Sequence, residues 1–137
     1  VKKVNMEFIE SFLSEKLNPS FIVLFGSMAN ETSRPDSDID LAFYPNEKHA
    51  ATSAYELFLI AQELADHLKR EVDLINIRTA STVFQAQIYG TGILLHAQNK
   101  AFYQQQRMTA LSMYARLNEE RKPVLDKIKE SGSIYES

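Results

Sequence analysis

The sequence has no cysteine among its 137 residues. That rules out disulfides and thiolate metal sites, and it is compatible with the reducing cytoplasm, the compartment expected here. No apolar stretch approaches the length of a membrane span. No charged n-region, apolar core and cleavage site combine into a signal peptide, so neither a membrane partner nor export is expected. The first residue is Val rather than Met, as a processed or edited N-terminus would give. A surplus of positive charge is missing too. The net charge of −3 argues against a protein whose main business is gripping nucleic-acid backbone, and no direct nucleic-acid binding is expected. Internal repeats are absent, and the run "QQQ" at 104–106 is too short to count as low complexity.

What is present is ordinary in amount and uneven in place. Apolar residues make up 45% and charged residues 24%, as in a globular protein. The length suits one domain over 1–137, able to bury about two-thirds of its unfolded surface, with a C-terminal helical extension from about residue 100. Between Glu31 and Glu47 five acids face one base, Arg34, while Lys100 to Arg116 holds three bases and no acid. A solvated helix face is the plainer account of the basic stretch. Monomer and homo-oligomer both remain open.

Hydrophobic spacing outlines the elements. Phe8, Ile9, Phe12, Leu13 and Leu17 mark an amphipathic helix that Pro19 ends. "FIVLF" at Phe21 to Phe25 suits a strand buried on both faces. Residues 26–37 are turn-like, and a helix starting near Met28 would add its dipole to them. From Asp38 to Tyr44 the pattern alternates, which predicts a half-buried strand with Asp38, Asp40 and Ala42 on its open face. Ser53 and Glu56 form a capping box ahead of a strong stripe from Ala54 to Leu68. Glu71 to Ile77 reads as a third strand carrying Asp73. A short helix capped by Thr79 or Ser81 runs through Ile88, and "GILLHA" reads as a fourth strand. A long helix spans about Lys100 to Arg121, and Pro123 starts a separate final turn. This order predicts an α+β (α/β-like) layer, a small mixed sheet flanked by helices. The short link between the first two strands favours an antiparallel pair. Asp73 joins Asp38 and Asp40 only if its strand lies beside theirs.

Asp36, Asp38 and Asp40 stand at alternate positions directly ahead of an apolar run, and three charges so close need a cation or water to offset their repulsion. Asp38 and Asp40, with a third carboxylate from a neighbouring strand, offer hard oxygen ligands to Mg²⁺ or Mn²⁺. Mg²⁺ keeps several waters and completes its shell with substrate phosphates. The Gly26-Ser27 turn suits that need, because glycine lets backbone approach closely and the serine hydroxyl and free N–H groups can hold phosphate.

"GS", ten residues, then "DID" (Gly26 to Asp40) resembles the signature of the DNA polymerase β-like nucleotidyltransferase superfamily. The preceding "FIVLF" strand and the later "VDLI" with Asp73 agree with that frame. The resemblance runs from the first helix to about residue 97. The chain's length looks like that of the minimal nucleotidyltransferase (MNT) group. It implies that Gly26 and Ser27 hold the β- and γ-phosphates of ATP, that Asp38 and Asp40 bind the metals, and that Asp73 is the third carboxylate near the attacking hydroxyl. It further implies in-line transfer of AMP from ATP to a hydroxyl, assisted by a divalent metal pair. Members commonly act as antitoxins beside a HEPN-domain partner, in some cases adenylylating a tyrosine of that toxin. Two other outcomes are a catalytically inactive antitoxin that works by contact alone and a small-molecule transferase of the aminoglycoside type. One departure stands out. Many relatives carry Arg-Gly soon after the Gly-Ser turn, whereas Asn30 and Glu31 stand in this stretch, leaving Arg34 as the nearest cation.

Plainer accounts compete at several positions. Asp36, Asp38, Asp40 and Glu47 fall at EF-hand ligand positions, but Leu41 stands where that loop needs glycine. Charged residues also guard strand edges, which suffices for Asp36. His49, His67 and His96 are scattered, as surface or packing residues are. Tyr89, Tyr103 and Tyr114 read as packing residues, and Met108 and Met113 as core or interface.

Overall fold

The computed structural model describes residues 5–29, 37–47 and 52–131, with side chains as far as Pro123. Helix α1 (Met6–Leu17) starts where the Asn5 side chain accepts the Phe8 amide. It ends at Asn18, whose left-handed backbone (φ 43°) turns the chain into Pro19. Strand β1 (Phe21–Phe25) follows, every residue of it buried. Gly26–Met28 forms a single 3₁₀ turn rather than the start of a helix. Strand β2 is Ile39–Tyr44, so Asp38 sits one residue ahead of it.

Helix α2 (Ala54–Leu68) begins at the expected cap, with Ser53 Oγ accepting the Glu56 amide at 3.1 Å. Strand β3 is Val72–Asn76. Helix α3 (Thr82–Thr91) is capped by Ser81, whereas the Thr79 hydroxyl donates to the Asn76 carbonyl instead. The helix runs past Ile88 and stops at Gly92. Strand β4 is Ile93–Ala97, and helix α4 is Lys100–Ser131.

Helix α4 corrects one expectation. Pro123 lies inside it and does not open a separate turn. A proline within a helix leaves the carbonyl four residues earlier without its amide partner. Here that residue is Glu119, which is exposed, so water can serve the carbonyl and the helix continues.

The strands lie in the order β3-β2-β1-β4, with β1 antiparallel to both neighbours and β2 parallel to β3. A parallel pair needs a long crossover, and α2 supplies it. One face of the sheet packs Ile22, Leu24, Ile39, Leu41 and Phe43 against α1 and α2. The other packs Phe21, Val23, Phe25 and Ala42 against Ile88 and Tyr89 of α3 and Tyr103 and Ala110 of α4. Each large apolar side chain buried this way stabilises the fold by roughly 1.5–3 kcal/mol.

Strand β2 is therefore not half-buried. Ala42 is fully buried beneath α3 and α4, and openness is confined to the strand's ends, at Asp38 and Asp40 and in part at Tyr44. Tyr89 and Tyr103 pack around Phe21 as expected. Met108 and Met113 are exposed, which excludes the core. His67 lies against Phe8 and Phe12, and His96 pairs with Glu10 at 3.0 Å. Among the described residues, no helix is long and apolar enough to cross a membrane.

Candidate active site

The candidate site lies where β1 ends and β2 and β3 begin. Parallel pairing places Asp40 directly opposite Asp73, so both carboxylates leave the sheet on the same face. Antiparallel pairing sets Phe25 opposite Asp40, which delivers Gly26 to the same spot. The conditional reading of Asp73 is thus resolved, since its strand is the neighbour of β2.

Gly26 is constrained twice. Its φ of +75° belongs to the left-handed region, and a Cβ at this position would overlap Asp40 Oδ2. The glycine lets the turn lie directly on the carboxylate. Ser27 follows in the same turn, half-buried. Because the turn is only three residues long, what it can offer an anion is local N–H groups and the Ser27 hydroxyl, not a helix dipole.

Asp40 is half-buried, while Asp38 and Asp73 are exposed. The Asp40 carboxyl is pushed up to about 6 from the ordinary 3.8. Burial is the largest cause, followed by the charge of Asp73, a side-chain hydrogen bond with Asp73, and the charge of Asp38. Two carboxylates can hydrogen-bond only when one keeps a proton. The pair is an anionic focus that a proton partly neutralises and that a cation would neutralise in its place.

Asp38 joins this focus through its charge alone. Among the described residues, no three carboxylates or imidazoles converge closely enough to hold an ion by themselves. That suits Mg²⁺, which needs only one or two carboxylates and takes waters and substrate phosphates for the rest.

Arg34, Asn30 and Glu31 lie outside the described residues, as do Asp36 and His49. A different cation comes to the turn. Arg70, just before β3, places Nη1 3.5 Å from Met28 Sδ. It also lines a cavity of about 440 Å³ together with Asp66, Lys69, Glu71 and Asp73. Sequence reasoning missed it because 42 positions separate it from Met28. The available signal was the basic pair Lys69-Arg70 at the mouth of the "VDLI" strand.

Chemically, the arrangement offers a turn that admits phosphate oxygens, a carboxylate pair for a hard cation, and an exposed carboxylate where a hydroxyl can approach. Comparison with known proteins points the same way. The family described as Polymerase beta, Nucleotidyltransferase matches residues 7–101. The protein adenylyltransferase MntA of Shewanella oneidensis is 34% identical over 109 residues, which is 78% of this chain and 74% of MntA. A chain of a toxin–antitoxin crystal structure with AMP-PNP superposes with a TM-score of 0.79 at 29% identity, over 92% of this chain and 99% of that one. A second match comes from the complex of tri-AMPylated Shewanella oneidensis HEPN toxin with MNT antitoxin. Its TM-score is 0.73 at 27% identity, over 90% of this chain and 95% of that one.

Proposed function

This chain belongs to the polymerase β-like nucleotidyltransferase family, and from that premise we propose that it transfers AMP from ATP to a hydroxyl of a HEPN-domain partner protein, acting as its antitoxin. The acceptor hydroxyl is a tyrosine in this reading, and the tri-AMPylated HEPN toxin of the related complex supports a HEPN-domain protein as the AMP acceptor. The reading treats 1–137 as one minimal domain with α4 as its helical extension. It places the reaction in the cytoplasm, where ATP is at hand.

One observation carries the proposal: Asp40 and Asp73 stand side by side, in register, against a glycine that cannot be larger. Asp38, Asp40 and Asp73 would hold Mg²⁺ or Mn²⁺, which when bound supplies charge neutralisation for the phosphates and the departing pyrophosphate. Gly26 and Ser27 bind the β- and γ-phosphates through N–H groups and the Ser27 hydroxyl. Arg34 or Arg70 adds positive charge at the same end. Asp73 orients the acceptor hydroxyl, and its carboxylate receives the proton. The hydroxyl oxygen bonds to the α-phosphorus as the bond to the pyrophosphate oxygen breaks. Positioning and charge compensation account for most of such a reaction.

The test is incubation with the HEPN-domain partner, ATP and Mg²⁺, followed by mass spectrometry. Each transfer adds the mass of one AMP to a hydroxyl side chain of the partner. Asp38→Asn with Asp40→Asn abolishes both the adduct and metal-dependent ATP binding. Full protection of cells by that double variant, with a stable complex and no adduct, would replace the proposal by neutralisation through contact alone.

A further inference from the structure

The acceptor must bring its hydroxyl to Asp73, and Asp73 lies on a strand that, among the described residues, has one edge open. Among the described residues β3 pairs with β2 only. The Glu71 carbonyl accepts from the Ile39 amide at 2.9 Å, so the backbone of Glu71, Asp73 and Ile75 turns toward β2. Alternation then turns the N–H and C=O groups of Val72 and Leu74 outward. These are groups a further strand could pair with.

Side chains alternate as well. Asp73 and Ile75 point to the face covered by α3 and α4, while Val72 and Leu74 point to the α2 face. On that second face a cavity of about 230 Å³ opens beside the edge, lined by Ala54, Leu57, Phe58, Ala61, Leu74 and the edge at Asp73. Above it, α2 exposes Tyr55 (69%), Phe58 (56%) and Leu59 (48%), three large apolar residues at helical spacing. An open strand edge and an apolar helix face thus meet along Val72 to Leu74, with the Asp73 carboxylate on the opposite face of the same edge. Exposed apolar surface of this kind marks an interaction site.

We infer that an extended segment of the acceptor protein docks as a fifth strand on the open edge of β3, one of its side chains filling the apolar cavity under α2 and the next presenting its hydroxyl to Asp73. The inference rests on the transferase reading above. Strand addition of this type draws affinity from main-chain hydrogen bonds and specificity from pockets for alternate side chains. Neighbouring strands lie about 4.7–4.9 Å apart, so a hydroxyl on the added strand comes beside Asp73 without any rearrangement of the sheet. The preferred acceptor sequence is a hydroxyl residue directly flanked by a large apolar one.

Two measurements test this. In Tyr55→Ser with Phe58→Ser, KM for the HEPN-domain partner rises at least about tenfold, while kcat at saturating partner changes little. With p-benzoylphenylalanine in place of Phe58, irradiation of the mixed proteins captures a partner peptide lying within about two residues of the AMP-bearing hydroxyl, as the alternation of an added strand requires. An unchanged KM overturns the dock alone, as does a cross-link to a second copy of this chain or to a partner segment remote from the adduct. No adduct with the unsubstituted chain overturns the transferase reading, and the dock with it.

Discussion

Asp40 is a carboxyl group whose surroundings oppose its own charge. Its native pKa of about 6 lies above the ordinary 3.8, so the folded chain holds the proton more tightly than the unfolded chain does. The stability it contributes is complete below about pH 4 and is lost as pH rises through about 6. Metal-free Asp40→Asn is therefore expected to melt above the parent at pH 7, with the gap closing toward pH 4. The carboxyl is partly solvated, so screening keeps the difference to about a few degrees. Thermal melts across that pH range check it, and Mg²⁺ should raise the melting temperature of the parent far more than that of the variant. Gly26 tells the complementary story. Alanine there would be strained by the positive φ and would collide with Asp40. Gly26→Ala is expected to cost about 1–3 kcal/mol in urea unfolding and to remove metal-dependent ATP binding, measured by titration calorimetry.

Helix α2 carries the chain from Asp40 to Asp73, and its start rests on one side chain. Ser53→Ala removes the cap on the Glu56 amide and is expected to cost about 1 kcal/mol, read from urea unfolding, with AMP transfer unchanged at low temperature. This helix was legible in the sequence because a cap and a stripe are local signals. So were the buried character of "FIVLF" and the Gly-Ser-to-Asp-x-Asp frame. What lay beyond reach depended on which strands become neighbours. The sequence could place Asp73 on a strand but could not say that β3 lies beside β2 in register. Nor could it show Ala42 going under α3 and α4, because alternation describes one strand and not what covers it. Arg70 escaped for the same reason. Pro123 misled in the opposite direction, since Glu119, whose carbonyl loses its amide partner, is an exposed residue where water can take that partner's place.

At the scale of the whole molecule, two apolar layers hold the sheet from opposite sides, and among the described residues α4 is buried in the second through its first third. Among the described residues its buried ones are Tyr103 and Ala110, while residues 118–123 are all exposed. Exchanging the exposed Arg121 and Lys122 for alanine is therefore expected to leave the melting temperature of the chain within about 2 °C of the parent, as thermal unfolding would show. Ending the chain before Tyr103 should prevent folding, because Phe21 would lose a ring packed 5.0 Å away. Phe21 belongs to β1, one of the two inner strands, and that position has a consequence for how the protein is made. Strand β1 leaves the ribosome early, yet its second flank is covered only when β4 emerges some 70 residues later. Translation at roughly 5–20 residues per second leaves "FIVLF", uncharged and rich in strand formers, one-sided for several seconds. During that interval the nascent chain offers a sticky edge to other polypeptides, and chaperone occupancy should concentrate on ribosomes that have passed Phe25 but not yet released Ala97.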